Sequence, residues 1–400
     1  MAIAPLLAAT TAFIQRAPRM LIGAEWVEAA DGQTMPLHNP ATGEVLCVVP
    51  KATPEDVDRA VLAARQAFDD SAWTRTRPRE RQNLLWKLAD LMQRDAELLA
   101  QLECLNNGKS AAVAQVMDVQ LAIDFLRYMA GWATKIEGST VEASMPLMPN
   151  DQFHGFVRRE AVGVVGAIVA WNFPLLLACW KLGPALATGC TVVLKPADET
   201  PLSALKLAEL VLEAGYPEGV FNVVTGTGIT AGSALTHNPL VDKLTFTGST
   251  AVGKQIGKIA MDSMTRVTLE LGGKSPTIVM ADADLNSAAA GAASAIFFNQ
   301  GQVCCAGSRL LVQESIESRF IAKVKARMAK LRVGDPLDKA IDIGAMVAPV
   351  QVARIRDLMA KGLAEGAEIY EPDGQLPARG CFLKPALVTN VSPASSLVEE

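Results

Sequence analysis

Between residues 163 and 271 the chain alternates short, almost wholly apolar runs with stretches of helical spacing, and nothing else in it constrains the fold as much. GVVGAIVAW (163–171), TVVLK (191–195), GVFNVVTG (219–226), DKLTFTG (242–248) and RVTLEL (266–271) read as strands. Helical stretches lie between them at 175–188, 201–215 and 250–262, with a shorter one after 226. Strands apolar along their whole length need cover on both faces, and helices of crossover length supply it. The pattern therefore predicts an α/β fold, a parallel sheet with helices on each side. Upstream, 54–70, 78–106 and 111–133 also have helical periodicity, the first opened by Pro54 and acidic residues. A second helix-and-strand region runs from about 283 to 400.

Ligands on such a sheet bind outside the carboxyl ends of the strands. Asn172, Lys195, Gly226, Gly248 and Glu270 all fall at those ends. Thr247-Gly248-Ser249-Thr250 closes a strand and opens a helix, and free amides at such a junction bind phosphate. A plain turn with Ser249 or Thr250 as N-cap is the competing reading. Lys195 is placed to reach a ribose or phosphate, with Asp198 three positions on. An acidic residue there pairs with ribose hydroxyls and favours NAD over NADP; a solvated Lys–Asp loop is the alternative. Asn172, between Trp171 and Phe173, is either a turn residue or an oxyanion donor.

Cys304 lies in FFNQGQVCCAGSR (297–309), downstream of Glu270 in LELGGKSP (269–276). The only histidines are His38, His154 and His237, none in a run resembling a site. A nucleophilic thiol here would pair with a carboxylate rather than an imidazole, which argues against a papain-like Cys/His arrangement. The thiol would form a covalent adduct and the carboxylate would later activate water. Cys305 is adjacent, and chemistry alone does not choose between the two; either also suits a small buried hydrophobe. Lowering a thiol pKa from ~8.5 to ~7, by a helix N-terminus or a cofactor cation, would raise its thiolate fraction about ten-fold. Glu270 must then avoid constant contact with the thiolate, because like charges raise both pKa values.

With 400 residues, 50% hydrophobic and 20% charged, the chain can bury a large core in two or three domains. A net charge of −5 gives no electrostatic reason to bind nucleic acid. The 7 cysteines are odd in number and scattered, with no C-x-x-C pair, so neither a disulfide framework nor a metal site is expected. A reducing, cytoplasmic setting fits that usage. The N-terminal apolar stretch has no preceding basic residue, which argues against a signal peptide. Residues 161–180 approach the length of a membrane span, but Asn172 and Pro174 interrupt them and the first half is β-branched and Gly-rich. A buried strand, turn and helix account for them better, and no membrane association is expected.

Together these residues resemble the aldehyde dehydrogenase superfamily, from about residue 20 to the end of the chain. Its Trp-Asn-Phe-Pro stands at 171–174, Lys-Pro-Ala-x-x-Thr-Pro at 195–201, Phe-Thr-Gly-Ser-Thr at 246–250, Glu-Leu-Gly-Gly-Lys at 270–274 and Gly-Gln-x-Cys at 301–304. The resemblance implies a Rossmann-like NAD-binding domain (1–140 and 162–272), an oligomerisation hairpin (141–161) and a catalytic domain (273–400). It makes Cys304 the nucleophile rather than Cys305, Glu270 the general base and Asn172 the oxyanion donor. It assigns Trp171, Lys195, Asp198, Gly228, Gly248, Ser249, Leu271 and Glu400 to the cofactor, NAD or alternatively NADP. Phe173, Leu177, Trp180, Phe298, Val303 and Cys305 match positions that line the aldehyde tunnel.

The implied reaction runs through a thiohemiacetal, a thioester and hydrolysis; CoA-acylating relatives generally lack the Glu. The family pattern continues beyond Val398-Glu399-Glu400, so the resemblance implies a catalytic domain cut short. The 400-residue polypeptide alone is accordingly expected to be insoluble or inactive, and a homodimer or homotetramer is expected of the full-length protein. Segment 125–172 is most similar to phenylacetaldehyde dehydrogenases, then to betaine-aldehyde types, and the apolar lining suggests an aromatic or aliphatic aldehyde. The competing readings are a cofactor-independent thiol esterase using Cys304 and a non-catalytic scaffold or inactive fragment.

Overall fold

The apolar runs form strands, but shorter ones than their sequence signal. In the computed structural model, which describes residues 4–399, GVFNVVTG contributes only Phe221–Val223 to the sheet. Gly219 and Gly226 bound it with φ of 75° and 141°, outside the extended region that ladder pairing requires. The first run likewise contributes Val164–Ile168, starting after Gly163 at φ 126°.

Seven strands lie in the order Arg266–Glu270, Lys243–Thr247, Val164–Ile168, Thr191–Lys195, Phe221–Val223, Met20–Ile22, Glu25–Val27. The first five pair in parallel, and the last two add antiparallel pairings at one edge. Successive strand residues point to opposite faces. Val165, Ala167, Val192, Leu194 and Val223 join a core with the helices Pro78–Arg94, Leu121–Trp132, Pro174–Thr188 and Leu202–Ala214. Val164, Ile168, Val193, Leu244 and Phe246 meet Pro54–Asp69 and Thr250–Asp262 on the other face. This is the α/β sheet expected from the alternation.

The chain steps from Val164–Ile168 outward through Thr191–Lys195 and Phe221–Val223, then returns to the other side of Val164–Ile168 with Lys243–Thr247. That reversal opens a crevice at the strands' carboxyl ends. The loop carrying Asn172 and the turn carrying Gly248 flank it.

Two helical expectations need correction. The stretch 78–106 is two helices, Pro78–Arg94 and Ala96–Asn107, broken at Asp95, whose carboxylate takes ion pairs from Arg94 and Lys206. The stretch 111–133 has a π-helical segment, Ala114–Gln120, before Leu121–Trp132. The wider turn carries Asp118, which lies fully buried.

The hairpin consists of Ser139–Ala143 paired antiparallel with Phe153–Val157, so it starts ahead of the expected boundary at 141. Val141, Leu147, Phe156 and Val157 on it are all exposed. The region after 273 has a separate two-stranded parallel sheet, Pro276–Val279 with Arg309–Val312. Its helices Leu285–Phe297 and Glu317–Met328 close a smaller core around Val279, Ala289, Phe320 and Val324. Among the described residues no helix is long and apolar enough to cross a membrane.

Candidate active site

Asn172 lies in the bend between the central strand, which ends at Ile168, and the helix that begins at Pro174, so the Asn172–Phe173 peptide is fixed directly by regular structure on its helix side. The Asn172 amide Nδ2 donates to the Gln302 carbonyl at 3.1 Å, two residues before Cys304. A carboxamide nitrogen has two hydrogens, so one bond to the protein leaves a second donor. Asn299 Nδ2 donates to both Asn172 O (3.1 Å) and Gln302 O (3.2 Å), closing a ring of amides between the two loops.

The thiol-bearing loop is unusual in its backbone. Asn299, Gln300 and Gly301 are all left-handed, at φ 47°, 58° and 76°. Non-glycine residues hold that conformation at a cost of order 1 kcal/mol or more each, when the surroundings impose it. Here the surroundings are side-chain staples. Gln300 Nε2 donates to Ala345 O at 2.8 Å, and Gln302 Oε1 accepts from the Val347 amide at 3.0 Å. Cys304 and Cys305 emerge exposed.

The Cys304 thiol is held above its ordinary pKa, first by desolvation and then by the neighbouring Cys305 sulfur. Of the two activating sources expected from the sequence, a helix N-terminus or a cofactor cation, the first is not present at Cys304. Cys304 sits in a turn, and the segment that follows is the strand Arg309–Val312.

Glu270 ends its strand, and its carbonyl accepts from the Gly248 amide at 3.1 Å. Its carboxylate is exposed and acts electrostatically on the buried Lys181 ammonium, opposing the lowering of that group's pKa by desolvation. The loop after Glu270 runs against the thiol loop, where a Cβ added to Gly273 would lie 3.2 Å from the Cys304 carbonyl oxygen. Arg309 Nε reinforces the approach by donating to Lys274 O at 2.7 Å.

On the cofactor side, Lys195 is buried rather than solvated, and it forms an ion pair with Asp198. Asp198 Oδ2 accepts from the Gly228 amide at 3.3 Å, so these three residues expected at the cofactor do meet. Ser249 Oγ accepts from the Val252 amide at 3.3 Å as N-cap of Thr250–Asp262. The capping reading therefore holds for Ser249, and the helix N-terminus still opens onto the crevice. A Cβ on Gly248 would strike the Phe246 ring at 2.4 Å, so only glycine keeps this turn. Leu271 fills the space above Gly253. The carbonyl of Trp171 accepts from Asn107 Nδ2 at 2.7 Å. Glu400 lies outside the described residues. A helix N-terminus, a glycine turn and a buried lysine paired with a half-exposed aspartate at one switch point fit a dinucleotide.

Phe173 and Leu177 are buried, with Phe298 and Val303 packed against the same cluster; Phe173 stacks on Phe298 at 6.3 Å and 19°. Trp180 is exposed and meets Phe125 at 6.2 Å. Sequence reasoning missed Lys109, Asp118 and Glu103. All three side chains are fully buried, and Lys109 Nζ contacts Asn172 O at 2.9 Å. A lysine just past a helix end reads as a solvated cap, and no local signal separates the two.

The pattern of the aldehyde dehydrogenase family matches residues 26–400. The chain is 48% identical to the phenylacetaldehyde dehydrogenase of Pseudomonas fluorescens over 373 residues, 93% of this chain and 74% of that protein. Among solved structures, an NAD+ complex of aldehyde dehydrogenase from Bacillus cereus superimposes with TM-score 0.96 at 42% identity, over 100% of this chain and 80% of that one. The indole-3-acetaldehyde dehydrogenase AldA of P. syringae, a mutant in complex with NAD+ and IAA, gives TM-score 0.91 at 41% identity, over 98% and 80%. A match that spans nearly every residue, joined to a neighbour of almost the same backbone, carries the motif resemblance to its conclusion: the chain belongs to the aldehyde dehydrogenase family.

Proposed function

We propose that the protein oxidises an aryl-substituted or aliphatic aldehyde to its carboxylic acid, with NAD and through a covalent Cys304 adduct. The observation that carries this reading is the Asn172 amide anchored at 3.1 Å to the Gln302 carbonyl, beside the exposed Cys304 thiol. The Cys304 thiolate adds to the aldehyde carbon, and the resulting oxyanion is received by the free Asn172 N–H and the Cys304 amide. One preorganised donor of this kind is worth about 3–4 kcal/mol of barrier. Bound NAD supplies the hydride acceptor for oxidation of the thiohemiacetal to a thioester. Lys195, Asp198, Gly228, Gly248, Ser249, Trp171 and Leu271 would hold it. Beside a bound ribose, the Asp198 carboxylate would favour NAD over NADP. Glu270 then takes a proton from water, hydroxide adds to the thioester carbon, and the acid leaves as Cys304 recovers its thiolate.

Substrate class is supported by the apolar cluster of Phe173, Leu177, Phe298 and Val303, with Trp180 and Cys305 exposed. The two relatives named for phenylacetaldehyde and indole-3-acetaldehyde point the same way, and phenylacetaldehyde is the first aldehyde to try. The division into 1–140 with 162–272 for cofactor, 141–161 for assembly and 273–400 for catalysis belongs to the same reading. An isolated two-stranded ribbon is marginal alone, and apolar exposure on Ser139–Val157 supports a homodimer or homotetramer, checked by sedimentation. The free thiols suit a cytoplasmic setting.

The test is aldehyde-dependent NADH formation together with peptide mapping of an acyl group trapped in mid-turnover. Cys304→Ala should abolish turnover, by on the order of 10⁴-fold or more, while Cys305→Ala retains it. An acyl mark on any other residue, or ester cleavage indifferent to NAD, would overturn the reading.

A further inference from the structure

A lysine, an aspartate and a glutamate lie entirely out of solvent behind the oxyanion donor. Lys109 Nζ stands 2.8 Å from both Asp118 oxygens and 3.5 Å from Glu103 Oε2, and all three side chains are 0% exposed. Its remaining donor capacity goes to the Asn172 carbonyl at 2.9 Å, and it sits 4.5 Å over the Phe173 ring. Glu103 Oε1 accepts from the Leu175 amide at 3.1 Å, so the cluster grips Asn172, Phe173 and Leu175 in succession.

We propose that Lys109, locked by Asp118, is a positioning residue for the oxyanion donor: it fixes the Asn172 carbonyl, and through it the direction in which the Asn172 amide points. The assignment rests on the catalytic reading above. Two observations carry it beyond a structural ion pair. First, burying such a pair brings little net stability, since desolvation offsets the attraction, and apolar replacement of both partners is often neutral or better. Secondly, the Asn172 carbonyl is also an acceptor in the amide ring of Asn172, Asn299 and Gln302. Lys109 therefore anchors that ring to the buried cluster. Burial pushes the Asp118 carboxyl well above its ordinary range, Lys109 opposes this, and Glu103 adds to it. One cation facing two carboxyls, one of them readily protonated, leaves the cluster close to neutral, as a dry site requires.

Lys109→Met alone strands buried carboxylates and risks the fold, so the decisive variant is Lys109→Met with Asp118→Leu, made over Glu103→Gln so that no buried charge is left and the acceptor for the Leu175 amide is kept. Its kcat should fall about ten-fold or more with aldehyde KM little changed, because a displaced donor weakens only the transition state. In an Asn172→Ala background the same pair of changes should leave kcat within about two-fold, since the target of the positioning is already gone. A purely structural role would instead lower Tm equally in both backgrounds and spare kcat. The crystal structure of the double variant should show Asn172 Nδ2 released from Gln302 O. An unchanged kcat, or an Asn172 amide still on that carbonyl, overturns the proposal. Wild-type protein without aldehyde-dependent NADH formation would sink the catalytic reading alone, and the crystallographic comparison would still decide the positioning.

Discussion

The two walls of the crevice are built on different principles. The cofactor wall is made of strand ends, with Lys195, Thr247 and Glu270 each the last residue of a parallel strand. Beneath it the sheet and its helices are sealed by residues such as Leu194 and Leu210, essentially without exposure. The thiol wall has little regular structure at Asn299–Cys304. It is held by carboxamide side chains bonded to backbone carbonyls and amides of three separate segments. The first wall draws its shape from burial, which tolerates change at any one site as long as volume is kept. The second draws it from a few directional bonds around a strained turn, where single atoms matter. Damage to the first wall should thus read out as stability, and damage to the second as rate.

Three experiments sharpen or break that contrast. The largest effect is expected from Leu210→Ala, in the core of the sheet side and away from the crevice. It should cost about 2–5 kcal/mol of unfolding free energy, seen in denaturant titration, with kcat per folded molecule unchanged. A matching loss of kcat would mean that the walls are not separable. Asn299→Gly comes next. Glycine relieves the left-handed backbone while deleting the bonds to Asn172 O and Gln302 O, so stability should move by less than about 1 kcal/mol. Turnover should nonetheless fall about ten-fold, since the amide ring is opened. Equal Tm and equal kcat would remove the ring from the mechanism. The smallest effect is a pH dependence. Because the Cys304 thiol is held above its ordinary pKa, the thiolate is the minor form at neutral pH and grows as pH rises. Alkylation of Cys304 in cofactor-free protein should accelerate through an inflection above that of a free cysteine, followed by iodoacetamide labelling and mass spectrometry. An inflection below the free-cysteine value would show an activating charge near the sulfur.

The same contrast decides what is legible in the sequence. Strand ends are legible because an apolar β-branched run closing on a lone polar residue fits little besides a buried strand that delivers a side chain to its end. Lys195 and Glu270 stand where that pattern puts them, whereas Asn172 lies four residues past its strand, which ends at Ile168. Strand lengths read too long where glycines at positive φ cut the ladder, as at Gly219 and Gly226. The break at Asp95 is hidden because both halves keep the same apolar periodicity through it. Lys109 and Asp118 are invisible for a deeper reason. A charged pair flanking a helix terminus looks the same whether it faces water or Phe173, and only tertiary packing distinguishes the two. The left-handed run at 299–301 is equally hidden, since only Gly301 advertises a positive φ.

Gly273 carries a last consequence. A methyl group there would sit 3.2 Å from the Cys304 carbonyl oxygen, closer than nearly all such contacts allow. The spacing between the loop that follows Glu270 and the loop that carries Cys304 is thus governed by a hydrogen atom, the smallest shim chemistry offers. Any larger group would push the two loops apart by a few tenths of an ångström while leaving each intact on its own.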